Sequence, residues 1–264
     1  MNICKHYING KCTNIDCKYE HIDNICKFYY FGDCNRLNCK FLHKYKYLYI
    51  KKNTETFEPN YEKCSMKILI NKPICNNNEI SINNNIFDKS IDYYNNLLKE
   101  INYDVYLPWH GESHLIANDK SDIDWKSKSQ TFNLVINKLS EYFNLIPSST
   151  RLNFYDNNDW KPYHHDAAAF DEEKAKNQNI TVGVSFGAER EISFESAENN
   201  KSSRKTINFL LENCTVYAFG NEINQKFRHG IPPIINNNYN NNNDNKGRIS
   251  IIIWGYTNNL NYNF

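Results

Sequence analysis

Two patterns of cysteine and histidine with identical spacing lie in the first 43 residues of the chain. Each unit reads C-x7-C-x4-C-x3-H. The candidate ligands are Cys4, Cys12, Cys17 and His21 in the first unit and Cys26, Cys34, Cys39 and His43 in the second. Three thiolates and one imidazole form the closed tetrahedral shell of a structural zinc ion, which can fold a segment too short for its own apolar core. The spacing therefore predicts two zinc fingers, each with one Zn²⁺.

Disulfide bonding is the alternative chemistry for these cysteines. The chain begins Met1-Asn2-Ile3-Cys4, with no apolar signal segment before the first candidate ligand. This start favours an intracellular protein, in cytoplasm or nucleus, where thiols stay reduced. Three further cysteines show no ligand spacing and are predicted to be free thiols: Cys64, Cys75 and Cys214. No apolar run approaches the length that a bilayer requires, so no membrane partner is expected.

Basic and aromatic side chains are mixed throughout this segment. Residues 1–52 contain ten Lys and Arg against four Asp and Glu. This mixture suits single-stranded nucleic acid, because rings stack on bases while cations neutralise phosphates. The residues are Tyr7, Tyr19, Phe28, Tyr29, Tyr30 and Phe41, with Lys5, Lys18, Lys27, Arg36 and Lys40. Alternatively, some of these rings pack against the zinc core.

Short motifs around the ligands are shared by both units. Gly10-Lys11-Cys12 corresponds to Gly32-Asp33-Cys34, and an aromatic residue lies two positions before each final histidine. In spacing and residues the segment resembles the CCCH zinc-finger family, whose members commonly bind single-stranded RNA. The resemblance implies RNA or single-stranded DNA as a partner.

A second candidate metal site lies in the C-terminal half of the chain. His164-His165-Asp166 is followed downstream by His229. Two imidazoles and one carboxylate on one face of a metal form the triad of non-haem Fe(II) oxygenases, for which His164, Asp166 and His229 are the candidates. Arg248, in Gly247-Arg248-Ile249-Ser250, is placed on a predicted strand and can pair with a carboxylate through two hydrogen bonds. Strand alternation predicts that His165 faces away from His164.

The elements that must position these residues are mainly short strands. Apolar periodicity predicts strands at 67–70 and 79–86 and helices at 89–101 and 129–143. The second helix carries an apolar stripe of Phe132, Ile136, Leu139 and Phe143, and the first a stripe of Ile91, Tyr94, Leu98 and Ile101. Further strands are predicted at 151–155, 180–186, 190–194, 205–209, 215–219 and 248–254. Six strands without evident intervening helices favour a sandwich or barrel over a parallel α/β sheet.

The domain organisation follows from these patterns. We expect tandem fingers at residues 1–44, a linker at 45–62 and one globular domain at 63–264. The Asn-rich stretch at 236–245 is predicted to be a solvated loop.

The residues between 79 and 256 resemble the AlkB-like Fe(II) and 2-oxoglutarate dioxygenases. Asn153-Phe154-Tyr155 falls on the N-x-Y motif of that family, and His164, Asp166 and His229 fall on its metal triad. The resemblance implies a double-stranded β-helix, or jelly-roll, core with one Fe²⁺. It also implies that Tyr155, Arg248 and Ser250 hold the distal carboxylate of 2-oxoglutarate, with Asn153 near the end that chelates iron.

Two positions depart from the family pattern. In the family, a second arginine often helps to hold the iron-side carboxylate of 2-oxoglutarate, and at that position this chain has Trp254. Some relatives also have an acidic residue that contacts the base, and at that position this chain has Ala168. The segment 107–114 lies where the family builds its substrate lid, and within it Trp109 or His110 is a candidate for stacking on substrate. Packing of this segment onto the barrel is the alternative.

The leading hypothesis is a dioxygenase that oxidatively demethylates RNA or single-stranded DNA held by the fingers. Two alternatives stay open. In one, the chain is a catalytically inactive RNA-binding protein whose barrel is a scaffold. In the other, the oxygenase acts on a protein side chain, and the fingers target it to its substrate.

Overall fold

In this computed structural model the residues described are 3–8, 10–26, 39–42, 66–109, 113–156, 159–197, 206–233 and 247–260. The chain divides into two compact units, Met1–Asn53 and Thr54–Phe264. Several parts of the chain named above lie outside the described ranges: the predicted linker 45–62, the stretch 236–245, and the residues Lys27, Phe28, Tyr29, Tyr30, Cys34, Arg36, His43, Cys64 and His110. None of the described helices is long and apolar enough to cross a membrane.

The first unit repeats one local arrangement in the parts that are described. A short helix, α1 (Lys5–Ile8), follows the first cysteine. Ile3 forms a parallel bridge with Glu20, and Ile25 forms the equivalent bridge with Leu42. Ile3 and Ile25 are buried together, immediately before the first cysteine of each unit. The sequence repeat is thus also a structural repeat.

The second unit is mostly β, in agreement with the predicted fold class. Its strands are β1 (Lys67–Ile70), β2 (Glu79–Asn83), β3 (Tyr106–Trp109), β4 (His114–Ala117), β5 (Leu145–Tyr155), β6 (Lys161–His164), β7 (Ile180–Gly187), β8 (Arg190–Ser196), β9 (Thr206–Leu211), β10 (Val216–Gly220), β11 (Phe227–Ile231) and β12 (Arg248–Thr257). Eight form a large sheet in the order β1-β2-β10-β7-β12-β5-β4-β3, and four form a small sheet in the order β6-β11-β8-β9. Two sheets of this kind make the jelly-roll core.

The helices of the second unit are short except for one. They are α2 (Tyr93–Glu100), α3 (Trp125–Lys128), α4 (Gln130–Phe143), α5 (Glu172–Ala175) and α6 (Asn221–Lys226), with 3₁₀ turns at Tyr103–Val105 and Ala167–Ala169. The Ser129 side chain accepts a hydrogen bond from the Phe132 amide at the start of α4, and Asn144 ends it in the left-handed conformation. The helix predicted at 129–143 is therefore confirmed.

The helix predicted at 89–101 is shorter than expected and buries a different face from the one predicted. It begins at Tyr93, where the Asp92 side chain accepts from the Asn95 amide. Tyr93, Tyr94 and Leu97 are buried, whereas Ile91 and Leu98 are exposed. The predicted stripe of Ile91, Tyr94, Leu98 and Ile101 is therefore wrong at two positions, because packing on the sheet selected the neighbouring helix face.

Strand alternation in β12 divides the core into two layers. Ile249, Ile251 and Ile253 pack with the helices, in a cluster that includes Leu97 and Leu139. The opposite face of β12 carries Arg248, Ser250, Ile252 and Trp254, and Ile252 joins a cluster with small-sheet residues such as Phe194. The space between the two sheets therefore receives both apolar residues and the polar residues of the candidate site.

Candidate metal and co-substrate site

The small sheet brings the three predicted metal ligands together. His164 is the last residue of β6 and is paired in register with His229 of the neighbouring strand β11. Asp166 follows β6 by two residues, at the start of a 3₁₀ turn. One ligand atom from each of the three residues lies within 4.8 Å of the others. The chain segments that carry these ligands are far apart in sequence and adjacent in the sheet.

The protonation of the three residues suits a divalent cation. His164 Nε2 lies 3.8 Å from Asp166 Oδ1, and His229 Nε2 lies 3.7 Å from Asp166 Oδ2. His164 Nδ1 lies 3.0 Å from the Pro162 carbonyl oxygen, to which it donates in the tautomer that leaves Nε2 unprotonated. Burial lowers the pKa of His164 well below its usual value and the pKa of His229 to about 4. Both imidazoles are therefore neutral at pH 7.

Asp166 is held in its ionised form. Burial opposes ionisation, yet the pKa of Asp166 is lowered; with both imidazoles neutral, the groups that favour the charged carboxylate are the Lys161 ammonium and the Thr181 hydroxyl. Thr181 Oγ1 donates to Asp166 Oδ2 at 2.8 Å. The cluster thus offers two neutral nitrogen ligands and one carboxylate, the donor set of a non-haem iron site.

Asn224 fixes the backbone of the aspartate and was not identified from the sequence. The Asp166 amide donates to Asn224 Oδ1 at 2.8 Å, and Asn224 Nδ2 donates to the Asp166 carbonyl at 3.2 Å. Asn224 lies in α6 and is buried. An asparagine in a polar helical segment carries no pattern that distinguishes it from a surface residue, so only the fold could reveal it.

We expect Thr181→Val to weaken metal binding by about 10- to 100-fold, because outer hydrogen bonds orient metal ligands. Valine keeps the shape of threonine but removes the donor to Asp166 Oδ2. Titration of the purified protein with Mn²⁺, followed by electron paramagnetic resonance of the free ion, measures the change. Thr181→Ser retains the hydroxyl and is the matched control. Equal affinities for wild type and Thr181→Val would show that the hydroxyl does not orient the carboxylate.

The four predicted co-substrate residues meet on two paired strands of the large sheet. Arg248 is in register with Tyr155, and Ser250 is in register with Asn153. All four side chains line the same cavity as His164, Asp166 and His229. The candidate co-substrate residues and the candidate metal ligands, which the resemblance places in one site, thus line one cavity.

Arg248 is a buried cation with hydrogen-bond donors that are unsatisfied within the described part of the chain. Its Nε donates to Ser185 Oγ at 2.8 Å, and its guanidinium lies 4.8 Å from the centre of the Tyr155 ring. Nη1 and Nη2 have no hydrogen-bond partner among the described residues, although Arg248 is only 1% exposed. A buried charge without a partner is costly, so this arrangement fits an anionic ligand that is bound in the cavity.

The buried side chain of His114 contacts two of the predicted co-substrate residues, Asn153 and Tyr155. Asn153 Nδ2 donates to Ser250 Oγ at 3.1 Å, and Asn153 Oδ1 lies 3.3 Å from His114 Nε2. The His114 ring stacks on Tyr155 with centroids 4.8 Å apart and planes at 7°. His114 therefore packs into the barrel from β4.

The remaining candidates near the site have other contacts. His165 lies outside the metal cluster, as alternation predicts: its Nδ1 contacts the Asn224 carbonyl and its ring lies edge-on to Phe170. Trp109 has the Arg151 guanidinium 4.4 Å above its ring. One face of this indole is thus covered by a cation of the chain itself.

The four candidate ligands of the first predicted finger lie close together. One ligand atom each from Cys4, Cys12, Cys17 and His21 lies within 4.8 Å of the others. Tyr7 stacks on His21 with centroids 4.1 Å apart, so this ring packs on the candidate zinc site. Tyr19 and Phe41 are about half exposed, at 54% and 51%.

The second finger is described only in part. Cys26 Sγ lies 3.7 Å from Cys39 Sγ, close to the 3.6 Å between Cys4 and Cys17 in the first finger. Its other two predicted ligands lie outside the described residues.

Comparison with known proteins gave one family match. The profile of the 2OG-Fe(II) oxygenase superfamily matches residues 95–253, which include all seven predicted iron and co-substrate residues. A search of curated proteins gave no match.

Three solved structures that resemble the chain have low sequence identity to it. A 2OG-Fe(II) oxygenase family oxidoreductase from Burkholderia pseudomallei is 14% identical, with 69% of this chain and 86% of that chain covered and a TM-score of 0.44. OsALKBH1 is 16% identical, with 66% of this chain and 97% of that chain covered and a TM-score of 0.45. A Pseudomonas putida prolyl-4-hydroxylase is 10% identical, with 67% of this chain and 91% of that chain covered and a TM-score of 0.41.

Proposed function

Because the chain belongs to the 2OG-Fe(II) oxygenase superfamily, we propose that it is an AlkB-like demethylase of RNA or single-stranded DNA, with tandem CCCH zinc fingers that bind the strand. Membership in the superfamily makes it an Fe(II)- and 2-oxoglutarate-dependent dioxygenase. The observation that carries the proposal is the presence, in one chain, of the oxygenase triad and of a Cys3His cluster in a basic, aromatic-rich segment.

We assign tasks to the polar side chains around the cavity as follows. His164, Asp166 and His229 hold the iron, with the carboxylate fixed by Thr181 and Asn224. The distal carboxylate of 2-oxoglutarate accepts hydrogen bonds from the two free guanidinium nitrogens of Arg248, beside Tyr155 and Ser250. The resemblance to AlkB-like dioxygenases assigns Asn153 to the metal end of the co-substrate.

Bound Fe²⁺ and 2-oxoglutarate supply the chemistry of O₂ activation. In the balanced reaction, O₂, 2-oxoglutarate and an N-methyl group give succinate, CO₂ and an N-hydroxymethyl group. The carbon–nitrogen bond then breaks, the nitrogen takes up the hydroxyl proton, and formaldehyde leaves. The protein binds and orients the reactants, and its buried cavity limits access of water.

Single strands are the favoured substrates on energetic grounds. Extrusion of a base from a duplex costs a few kcal/mol, whereas a single strand presents its bases without that cost. In the fingers, the half-exposed rings of Tyr19 and Phe41 are available for base stacking, and Lys18 and Lys40 lie beside them in sequence. We infer that each finger contains one structural Zn²⁺.

The direct test is turnover on defined oligonucleotides. Purified protein is incubated with Fe(II), 2-oxoglutarate, ascorbate and a panel of methylated RNA and DNA strands, and succinate and oligonucleotide mass are read together. We expect succinate and the loss of one methyl mass on at least one strand. Succinate with no change in any oligonucleotide would overturn the nucleic-acid substrate and point to a protein side chain. No succinate from an iron-loaded, folded sample would favour the non-catalytic RNA-binding alternative.

We expect Cys17→Ser to unfold the first finger and to weaken RNA binding by at least 10-fold at physiological salt, because metal binding and folding are coupled in such modules. Fluorescence anisotropy with a single-stranded RNA measures the affinity, and zinc content reports the lost site. Cys75→Ser is the matched control, since Cys75 is exposed and lies outside the cluster. Unchanged affinity in Cys17→Ser would show that the first finger is not needed to bind RNA.

A further inference from the structure

An irregularity in strand β6 directs the side chain of Lys161 into the cavity that contains the candidate metal ligands. His164 pairs with His229, but the next pair joins Lys161 to Ile231, so β6 has one residue more than β11 between the two pairs. In a regular strand, residues three apart face opposite sides. A β-bulge re-aims side chains, and here it places Lys161 on the same side as His164. Lys161 accordingly lines the cavity that contains the triad.

The Lys161 ammonium is a cation near the metal ligands but not paired with them. Among the described residues, the neutral imidazoles of His164 and His229 lie 3.8 Å and 3.7 Å from the Asp166 carboxylate, whereas the Lys161 ammonium forms no ion pair with it. Burial lowers the pKa of Lys161 to about 8, although Asp166 attracts its proton. Lys161 in turn lowers the pKa of both imidazoles. The charge of Lys161 therefore lowers the pKa of each of the three triad residues.

Trp254 marks the metal end of β12. It is in register with Thr181, whose hydroxyl donates to Asp166, whereas Arg248 at the other end of the strand is in register with Gly187. The indole Nε1 is buried without a hydrogen-bond partner among the described residues, and the ring lines the cavity. It can donate one hydrogen bond but carries no charge. A dicarboxylate with one end on Arg248 thus meets no cation from β12 at its metal end.

Arg151 is not placed to fill this role. Its guanidinium lies between two indoles, 4.4 Å from the Trp109 ring and 5.3 Å from the Trp254 ring. Burial lowers its pKa, and Arg151 is not among the residues that line the cavity. Its contacts hold the Trp254 ring in place.

We propose that Lys161 pairs with the iron-side carboxylate of 2-oxoglutarate and so replaces the cation that is missing at position 254, with Trp254 Nε1 as an additional donor. This inference rests on the proposed assignment of Arg248 to the distal carboxylate. Two cations, one at each end of the cavity, match the two charges of the ligand.

The test compares two ligands that differ only at one end. 2-Oxopentanoate has the iron-side carboxylate and keto group of 2-oxoglutarate but lacks the distal carboxylate. Dissociation constants are measured by calorimetry on the full-length protein loaded with Mn²⁺. We expect Lys161→Met to weaken binding of both ligands by a similar factor of about 10- to 100-fold, the usual worth of a charge-assisted hydrogen bond. Arg248→Met should weaken 2-oxoglutarate binding and leave 2-oxopentanoate binding nearly unchanged.

Variants that keep part of the lysine chemistry complete the test. Lys161→Arg restores a cation and should bind both ligands within a few-fold of wild type, whereas Lys161→Gln keeps a donor without charge and should show the loss. The latter also replaces Lys161→Met if that protein does not fold. Unchanged affinity in the neutral variants, or a loss confined to 2-oxoglutarate, would overturn the assignment of Lys161. Failure of the wild type to bind 2-oxoglutarate would instead contradict the co-substrate assignment itself.

Discussion

His164→Ala is expected to abolish succinate formation while RNA affinity stays within about 2-fold of wild type. The substitution removes one of three protein ligands from a site whose ligand atoms lie within 4.8 Å of each other. Two remaining ligands bind a divalent ion weakly and leave its orientation unspecified. The candidate zinc ligands belong to a separate compact unit, which in the proposed function binds the RNA, so RNA affinity should not depend on the iron site.

Succinate assays with Fe(II) and anisotropy with labelled RNA measure the two effects on one preparation. His165→Ala is the matched control, because the neighbouring histidine lies outside the cluster. It should retain most of the metal affinity and turnover. A parallel loss of turnover and RNA binding in His164→Ala would contradict the separation of the two modules.

The second large effect is expected from Arg248→Met, which should weaken 2-oxoglutarate binding by more than about 100-fold. Truncation of one partner in a buried, hydrogen-bonded charge pair costs 2–5 kcal/mol or more, roughly 30- to several-thousand-fold. In the free protein the same residue is a buried cation with two unpartnered nitrogens. Its replacement should therefore stabilise the ligand-free fold even as it removes the anchor for the carboxylate.

Thermal unfolding separates the two consequences. Saturating 2-oxoglutarate with Mn²⁺ should raise the melting temperature of wild type, since a ligand that binds the folded state stabilises it. In Arg248→Met the ligand-free melting temperature should rise and the ligand-induced increase should disappear. Arg248→Lys keeps the charge but not the two-pronged geometry, so intermediate affinity is expected. Full ligand-induced stabilisation of Arg248→Met would show that the distal carboxylate is held elsewhere.

The strands that the sequence revealed are those with unbroken apolar periodicity. The six predicted between residues 151 and 254 are all present, and the structure extends most of them by a few residues. Four strands were missed: the four-residue strand β4, and three that contain residues that weaken strand patterns, namely Pro108 in β3, Pro162 in β6 and Gly230 in β11. The last two carry His164 and His229. The ligands were therefore recognisable from their type and order, while the strands that carry them were not.

The sequence by itself predicted both sets of candidate ligands, because metal coordination restricts residue types and, in the predicted fingers, their spacing along a short chain. It also determined the mostly β core, because alternation of apolar residues is a local property. Tertiary structure alone decided which residues support the site. Asn224, Thr181 and His114 act through contacts with residues distant in sequence, and the inward turn of Lys161 depends on the register between β6 and β11. Such contacts leave no periodic or spacing signal, since they arise only when separate strands pair.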